Sequence, residues 1–253
     1  MFISNQDAVA LDRAVAVNSV AELLDFLAEA MPDGELFLFG GVLRDLALFG
    51  KKGFKSDLDL VVEGDWSNLT TFLDHLGVPR NKFGGYRFVY DNWLIDIWNA
   101  KETWAIKQGF VKYDSIFSLT ETTVLNWDAI LMNWRTKSFI HPRRYFEDIE
   151  NQVMHVVLEE NPNPLGMAVR VFRHLCHKNA KSLSMPAIEY LMGAANQYSY
   201  DELHMAERNS YGLTYISKDM YQLFFDASQA HGSTSRYKYL NARYGLEVIN
   251  GNR

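Results

Sequence analysis

Cysteine occurs once in this chain of 253 residues, at Cys176. That excludes a disulfide framework and a cysteine-built zinc cluster. Positive charge is not in excess either: 25 Lys and Arg stand against 31 Asp and Glu, a net charge of −6. The surface as a whole is therefore not made for polyanions, and any nucleic-acid contact must rest on local basic patches. No uncharged apolar stretch approaches the ~18 residues that a membrane span needs. The first residues show no basic segment followed by an apolar run, so no signal peptide is expected. A soluble, cytoplasmic protein with no membrane partner is the expectation. Internal repeats and low-complexity tracts are absent as well. What is plentiful is apolar and aromatic surface, 48% and 14% of residues. Many of the rings fall in the C-terminal half, where packing is their expected use and only a few would remain to stack on bases.

Against this ordinary background one stretch stands out. Leu36-Phe-Leu-Phe-Gly40-Gly41-Val-Leu-Arg44-Asp45 sets a glycine turn between an apolar strand and a helix. Ser56-Asp57-Leu58-Asp59-Leu60-Val61-Val62 follows it. Alternation along a strand puts Asp57 and Asp59 on one face, with Cα atoms about 6.7 Å apart. Aspartate is a poor strand former, and like charges side by side are unfavourable without a cation between them. The pair therefore points to metal binding, against the alternative of two solvated residues on an edge strand. A third carboxylate, Asp96, lies between Ile95 and Ile97 in a segment that reads as a strand. It is a candidate metal ligand, or a structural carboxylate receiving a backbone hydrogen bond. Arg44-Asp45 by itself also reads as an ion pair on a helix surface.

The pattern along the chain divides it into an α/β head over 1–140 and a helical region over 141–253. An amphipathic helix is expected over 17–31, capped by Asn18 or Ser19 and ended by Pro32-Asp33-Gly34. A strand at 35–39 and a helix at 42–49 flank the glycine pair. A strand at 58–62 and a helix at 68–76 come next. Tyr86–Tyr90 and Trp93–Trp98 form a hairpin around Asp91-Asn92. From Thr122 the pattern reads as helical, over 124–132, 145–157, 165–177 and beyond about 184, with a break at Pro162 and Pro164.

Transfer of a nucleotide from a triphosphate to a hydroxyl needs phosphate charge offset and an attacking oxygen made more nucleophilic. Two divalent ions about 3.5–4 Å apart supply both. Mg²⁺, or Mn²⁺ in its place, prefers carboxylate oxygens. Asp57, Asp59 and Asp96 are thus the candidate catalytic and metal-binding residues. Gly40 and Gly41 would let backbone N–H groups at a helix N-terminus approach the phosphates.

These motifs in this order resemble the head domain of the class II tRNA nucleotidyltransferases (CCA-adding enzymes) and bacterial poly(A) polymerases, of the polymerase β-like nucleotidyltransferase superfamily. Asn81-Lys-Phe-Gly-Gly-Tyr-Arg-Phe, Leu94-Ile-Asp96-Ile-Trp, Ile140-His-Pro, Phe146-Glu-Asp148-Ile-Glu150 and Asn163-Pro164-Leu-Gly-Met-Ala-Val-Arg170-Val-Phe-Arg173 extend the likeness over about residues 35–175. The resemblance implies an α+β fold, with a small mixed sheet and flanking helices followed by a helical neck. It also implies Mg²⁺-dependent transfer, with Gly40, Gly41, Arg44, Asp45, Arg170 and Arg173 at the nucleotide. Departures are equally specific. The family's Arg-Arg-Asp run before Phe-Thr-Ile-Asn-Ala is replaced here by Thr122-Thr123-Val124-Leu125-Asn126-Trp127-Asp128-Ala129. Gly166 stands where a neck arginine is expected, and no Glu-Asp-x-x-Arg base-reading motif is found.

Two basic clusters, Arg135, Lys137, His141, Arg143 and Arg144, and Arg170, Arg173, His174, His177, Lys178 and Lys181, are candidate contacts for triphosphate or RNA backbone, or solvated faces. Arg170, Arg173, His174 and His177 would share one helical stripe. The leading reading is an enzyme that adds NMP units from an NTP to an RNA 3′ end of the tRNA kind, releasing pyrophosphate. A compact transferase that modifies a protein, a tRNA or a small nucleotide is the second. A catalytically silent NTP- or RNA-binding module is the third. The oligomeric state has no signature in the sequence.

Overall fold

The computed structural model describes residues 9–10, 19–50, 57–230, 240 and 247–249, with residues 9–10 and 247–249 described as backbone alone. The chain divides into two units. Of the described residues, those up to 123 together with 127–145 form the first, and 124–126 with those from 146 onward form the second.

The first unit is a seven-stranded mixed sheet in the order β1-β4-β5-β3-β2-β6-β7. Its strands are β1 (Val9–Ala10), β2 (Glu35–Phe39), β3 (Leu58–Glu63), β4 (Tyr86–Tyr90), β5 (Trp93–Asn99), β6 (Leu131–Asn133) and β7 (Phe139–Ile140). Strands β3 and β5 run parallel at its centre, and β2 lies antiparallel to β3. Alternation sorts the side chains by face. Leu36, Leu38, Leu60, Val62, Tyr86, Phe88, Ile95 and Ile97 share one face and are all buried. Helices α1 (Val20–Glu29), α2 (Gly41–Phe49) and α3 (Trp66–His75) flank the sheet. Phe26 of α1 meets Phe72 of α3 with ring centroids 5.3 Å apart. The Tyr86 hydroxyl donates to Asp74 of α3 at 2.5 Å. On the other face Phe37, Phe39, Val61 and Leu131 form a core with Leu119 and Ala100, closed by Trp98, Ile106 and Tyr113.

Helix α1 is capped by Ser19, whose hydroxyl accepts from the Glu22 N–H at 3.3 Å. The hairpin turns through Asp91 and Asn92, both at positive φ, 48° and 63°. That is a type I′ turn, whose twist matches the strands it joins and fixes the β4–β5 register.

Two helical expectations give way. The apolar run at 124–132 becomes a short 3₁₀ turn at Asn126–Asp128 and then β6. Leu131 and Asn133 pair with Phe39 and Phe37 of β2, so a ladder along a buried strand overrides local propensity. The helix expected over 145–157 ends as α5 (Tyr145–Glu150), because Gln152 turns to φ 56° and starts β8 (Val153–Met154).

The second unit is mainly helical: α6 (Pro164–Cys176), α7 (Met185–Gln197), α8 (Tyr200–Tyr211) and α9 (Lys218–Gln229), with a three-stranded sheet in the order β10 (Glu247–Ile249), β9 (Ser182–Ser184), β8. Asn163 caps α6 by accepting from the Gly166 N–H at 3.1 Å. A Cβ at Gly166 would come within 2.3 Å of the Asn163 side chain, so the cap itself requires glycine there. Glu207 of α8 is fully buried. It accepts from Arg173 Nη1 at 2.6 Å and from the N–H groups of Tyr215 and Ile216 at 2.9 and 3.1 Å. Phe172 and Phe224 meet edge to face at 5.9 Å in the core of this unit. Among the described residues no helix is long and apolar enough to cross a membrane.

One ion network fastens the glycine turn of the first unit. Arg44, 6% exposed, donates from Nε to Asp45 at 2.8 Å and from Nη1 to Asp128. Removing the cation would leave two buried carboxylates facing each other. Arg44→Met is therefore expected to destabilise the first unit by about 3–5 kcal/mol. Asp128→Asn keeps the Arg44–Asp45 pair charge-balanced and should cost about 1 kcal/mol. Urea unfolding of both variants checks the contrast. By the same reasoning Arg173→Met, which strands the Glu207 carboxylate, should cost the second unit about 3–5 kcal/mol.

Candidate active site

The acidic residues lie at the start of β3 and midway along β5, the two central strands. Asp59 on β3 is paired with Asp96 on β5 and, on its other side, with Phe39 on β2. Asp96 is in turn paired with Arg87 on β4. Phe39, Asp59, Asp96 and Arg87 therefore form a row across four strands on one face of the sheet. Asp57, two residues before Asp59, belongs to the same face. Its carboxylate accepts from Arg87 Nη2 at 3.1 Å, and Asp96 Oδ2 lies 3.3 Å from that same nitrogen. The guanidinium thus joins carboxylates from two strands. Asp57 is half exposed, whereas the side chains of Arg87 and Asp96 are each only 23% exposed.

This placement sets the charge state of Asp96. Burial pushes its carboxyl up to about 6; Arg87 pulls it down and Asp57 adds to the rise. Carboxylate next to carboxylate in a half-buried row is unfavourable without a cation.

The glycine turn lies beside the row. β2 ends at Phe39, the partner of Asp59, and the chain turns at Gly40 with φ 65°, a backbone conformation that favours glycine. The Gly40 N–H donates to Ile130 O at 2.9 Å, and its carbonyl accepts from Leu43 and Arg44 at the start of α2. Gly41 opens that helix. Together with the Arg44–Asp128 bridge, these bonds tie the turn to the segment before β6.

The sequence-identified residues therefore divide. Gly40, Gly41, Asp57, Asp59 and Asp96 belong to one region of the first unit. Arg44 and Asp45 belong there too, but as a buried ion network rather than a helix-surface pair, with their polar atoms directed to each other and to Asp128. Arg170 and Arg173 are in the second unit. Arg170 is exposed. Arg173 is engaged by Glu207, with its guanidinium 3.9 Å from the centre of the Tyr211 ring. The stripe drawn through 170, 173, 174 and 177 is not a single solvated face, since His174 is 2% exposed and its Nδ1 contacts Arg170 O at 2.8 Å. In the other basic cluster, Arg135 caps the end of α1 by donating to Ala28 O at 2.8 Å.

Three residues went unnoticed as site or network members: Arg87, Asp128 and Glu207. Arg87 had a signal, because a two-residue turn at 91–92 pairs 90 with 93 and therefore 87 with 96. The other two are linked to their arginines only by tertiary structure, which leaves no local mark.

Hard carboxylate oxygens are the donor set that Mg²⁺ prefers, so Asp57, Asp59 and Asp96 fit such an ion by chemistry. They are not drawn together around one: among the described residues no three His, Cys, Asp or Glu form a metal-holding group.

No family model and no curated protein matches the sequence. Solved structures do match. A CCA-adding enzyme in complex with CTP shares 15% identity at a TM-score of 0.51, covering 91% of this chain and 68% of that one. A tRNA nucleotidyltransferase complexed with a primer tRNA and an incoming ATP analog shares 17% at 0.52, covering 91% and 72%. The Thermotoga maritima CCA-adding enzyme complexed with tRNA shares 15% at 0.52, covering 92% and 68%. The chain thus has an α+β fold similar to that of these nucleotidyltransferases.

Proposed function

We propose that this protein is a metal-dependent nucleotidyltransferase that moves NMP from an NTP to a hydroxyl and releases pyrophosphate. The observation that carries this reading is the row in which Asp59 and Asp96 stand side by side, with Asp57 on the same face and the Gly40 turn adjoining. Asp57, Asp59 and Asp96 would hold divalent ions. When bound, such ions offset triphosphate charge and make the acceptor hydroxyl a better nucleophile. The chain's own contribution is positional. The Gly40 turn aims the N-terminus of α2, whose first N–H groups would face phosphate oxygens. The Arg44–Asp45–Asp128 network holds that turn in place, so Arg44 and Asp45 act on the nucleotide indirectly.

The acceptor we assign is an RNA 3′ end of the tRNA kind. This rests on the fold neighbours, whose structures include complexes with tRNA, CTP and an ATP analog. Arg170 and Lys181, the cations of the second basic cluster that remain exposed, are the contacts we assign to RNA. A second reading, transfer to a protein, a tRNA or a small nucleotide, is favoured by one observation. Arg173, the neck arginine that the resemblance places at the nucleotide, is already bound to Glu207, and with no Glu-Asp-x-x-Arg motif in the chain strict base choice is not expected here.

Incubation with Mg²⁺, each labelled NTP and total RNA should put label on RNA 3′ ends, with weak discrimination among the four NTPs. Label confined to protein or to a nucleotide would replace the acceptor with the second reading. No incorporation at all would overturn the transferase. Asp59→Ala is expected to lower transfer by more than about 10²-fold while leaving the circular dichroism spectrum unchanged.

Asp96 adds a pH signature to the metal-free protein. Its folded pKa of about 6 lies above the ordinary value of 3.8. The folded state thus binds the proton more tightly, and stability is lost as pH rises through that window. Asp96→Asn should therefore be more stable than the wild type at pH 8, by up to about 3 kcal/mol. The advantage should shrink to about 0.5 kcal/mol near pH 4 and vanish only below the unfolded value of 3.8, where position 96 is neutral in both states. Denaturant curves at pH 8 and pH 4 give the contrast.

A further inference from the structure

We propose that Arg87 holds the place of the metal cation in the nucleotide-free protein and thereby makes metal binding depend on nucleotide binding. The inference rests on the transferase reading above and adds a positioning residue to it. One terminal nitrogen of Arg87 lies 3.1 Å from Asp57 and 3.3 Å from Asp96, carboxylates brought in by two different strands. The contact is built by register: β4 places Arg87 opposite Asp96, and β5 places Asp96 beside Asp59. Among the described residues no three carboxylate, imidazole or thiol groups converge on a common point. Two of the three aspartates converge on a guanidinium instead.

A guanidinium cannot give up its proton in a protein, so it leaves these carboxylates only by moving. A divalent ion arriving alone must settle beside that positive charge or displace it, and both oppose binding. A triphosphate changes the balance. Its oxygens suit the planar fork of Arg87 at least as well as two carboxylates from separate strands do. An arriving NTP would draw the guanidinium onto its phosphates and leave Asp57 and Asp96 to the ion. Each ligand then raises the affinity of the other by the same factor, as linkage requires.

Mn²⁺ binding to the full chain, followed by electron paramagnetic resonance with and without an ATP analogue that cannot be cleaved, tests this. In the wild type, Mn²⁺ affinity should rise about tenfold or more when the analogue is present. In Arg87→Met, affinity without the analogue should rise by about tenfold, and the gain on adding it should shrink toward unity. Arg87→Lys, whose compact charge cannot span both carboxylates as a fork does, should fall between the two. It decides the question if the methionine variant does not fold: a rise above wild type supports the proposal and none overturns it. Mn²⁺ bound by the wild type, with affinity unchanged or lowered in Arg87→Met, overturns the role of Arg87 and leaves the transferase reading standing. No Mn²⁺ binding with or without the analogue, in either protein, overturns both.

Discussion

Asp59 and Asp96 are neighbours because β3 and β5 run parallel and in register. The rest of the first unit is arranged around that pairing. Two carboxylates on adjacent strands repel, and partial burial adds to the cost of ionising them. The two ends of the row differ in kind. On the β2 side stands Phe39, part of the apolar core under Trp98, which shields that end from water. On the β4 side stands Arg87, which supplies a positive charge. Carboxylates between a hydrophobic wall and a single guanidinium are unsettled at neutral pH without further positive charge. That is the condition a cation-binding site requires and an ordinary strand avoids.

Holding the row requires the turn beside it to stay put, and two devices do this. Gly40 takes a backbone conformation that side chains disfavour and bonds to Ile130. Arg44 then clamps the first turn of α2 to Asp128. The same device recurs in the second unit, where Arg173 clamps α6 to the buried Glu207. Both arginines look like ligand-binding residues in the sequence, since a positive charge next to a glycine turn or on a neck helix suits phosphate. Burial decides otherwise, and burial is set by partners far away in sequence: Asp128 lies 84 residues from Arg44, and Glu207 lies 34 from Arg173.

This separates what could be read directly from what could not. Features governed by short-range rules were legible: the Ser19 cap, β2 and the glycine turn, the Asp91-Asn92 hairpin, and the shared face of Asp57 and Asp59. The start of α3 at Trp66 was missed by two residues, because Asp65 enters it with a left-handed backbone. β6 was lost to a helical reading because Ala129-Ile-Leu-Met carries no period of its own. Only the free ladder of β2 makes it a strand. The adjacency of Asp59 and Asp96 followed from no local rule either, since parallel pairing of β3 and β5 across the intervening residues 64–92 is a property of the whole sheet. Arg87 falls between these cases. Hairpin arithmetic fixes its place opposite Asp96, and the site becomes legible once that step is taken.

Strands and helices also differ in how firmly they keep a functional residue. Asp59 and Asp96 sit on strands with ladder partners on both sides, so displacing one by a single residue would turn it to the opposite face and break two registers at once. A neck helix has no such lock. Displacing a side chain by one position rotates it about 100° around the axis, and the helix remains intact. α6 shows the outcome. Gly166 serves the Asn163 cap, Arg173 serves Glu207, and Arg170 remains on the exposed surface. Asp59 and Asp96 are thus held by the sheet, whereas Gly166 and Arg173 on the helix serve its own packing. Divergence of this fold should therefore alter the helix positions before it alters the acidic row.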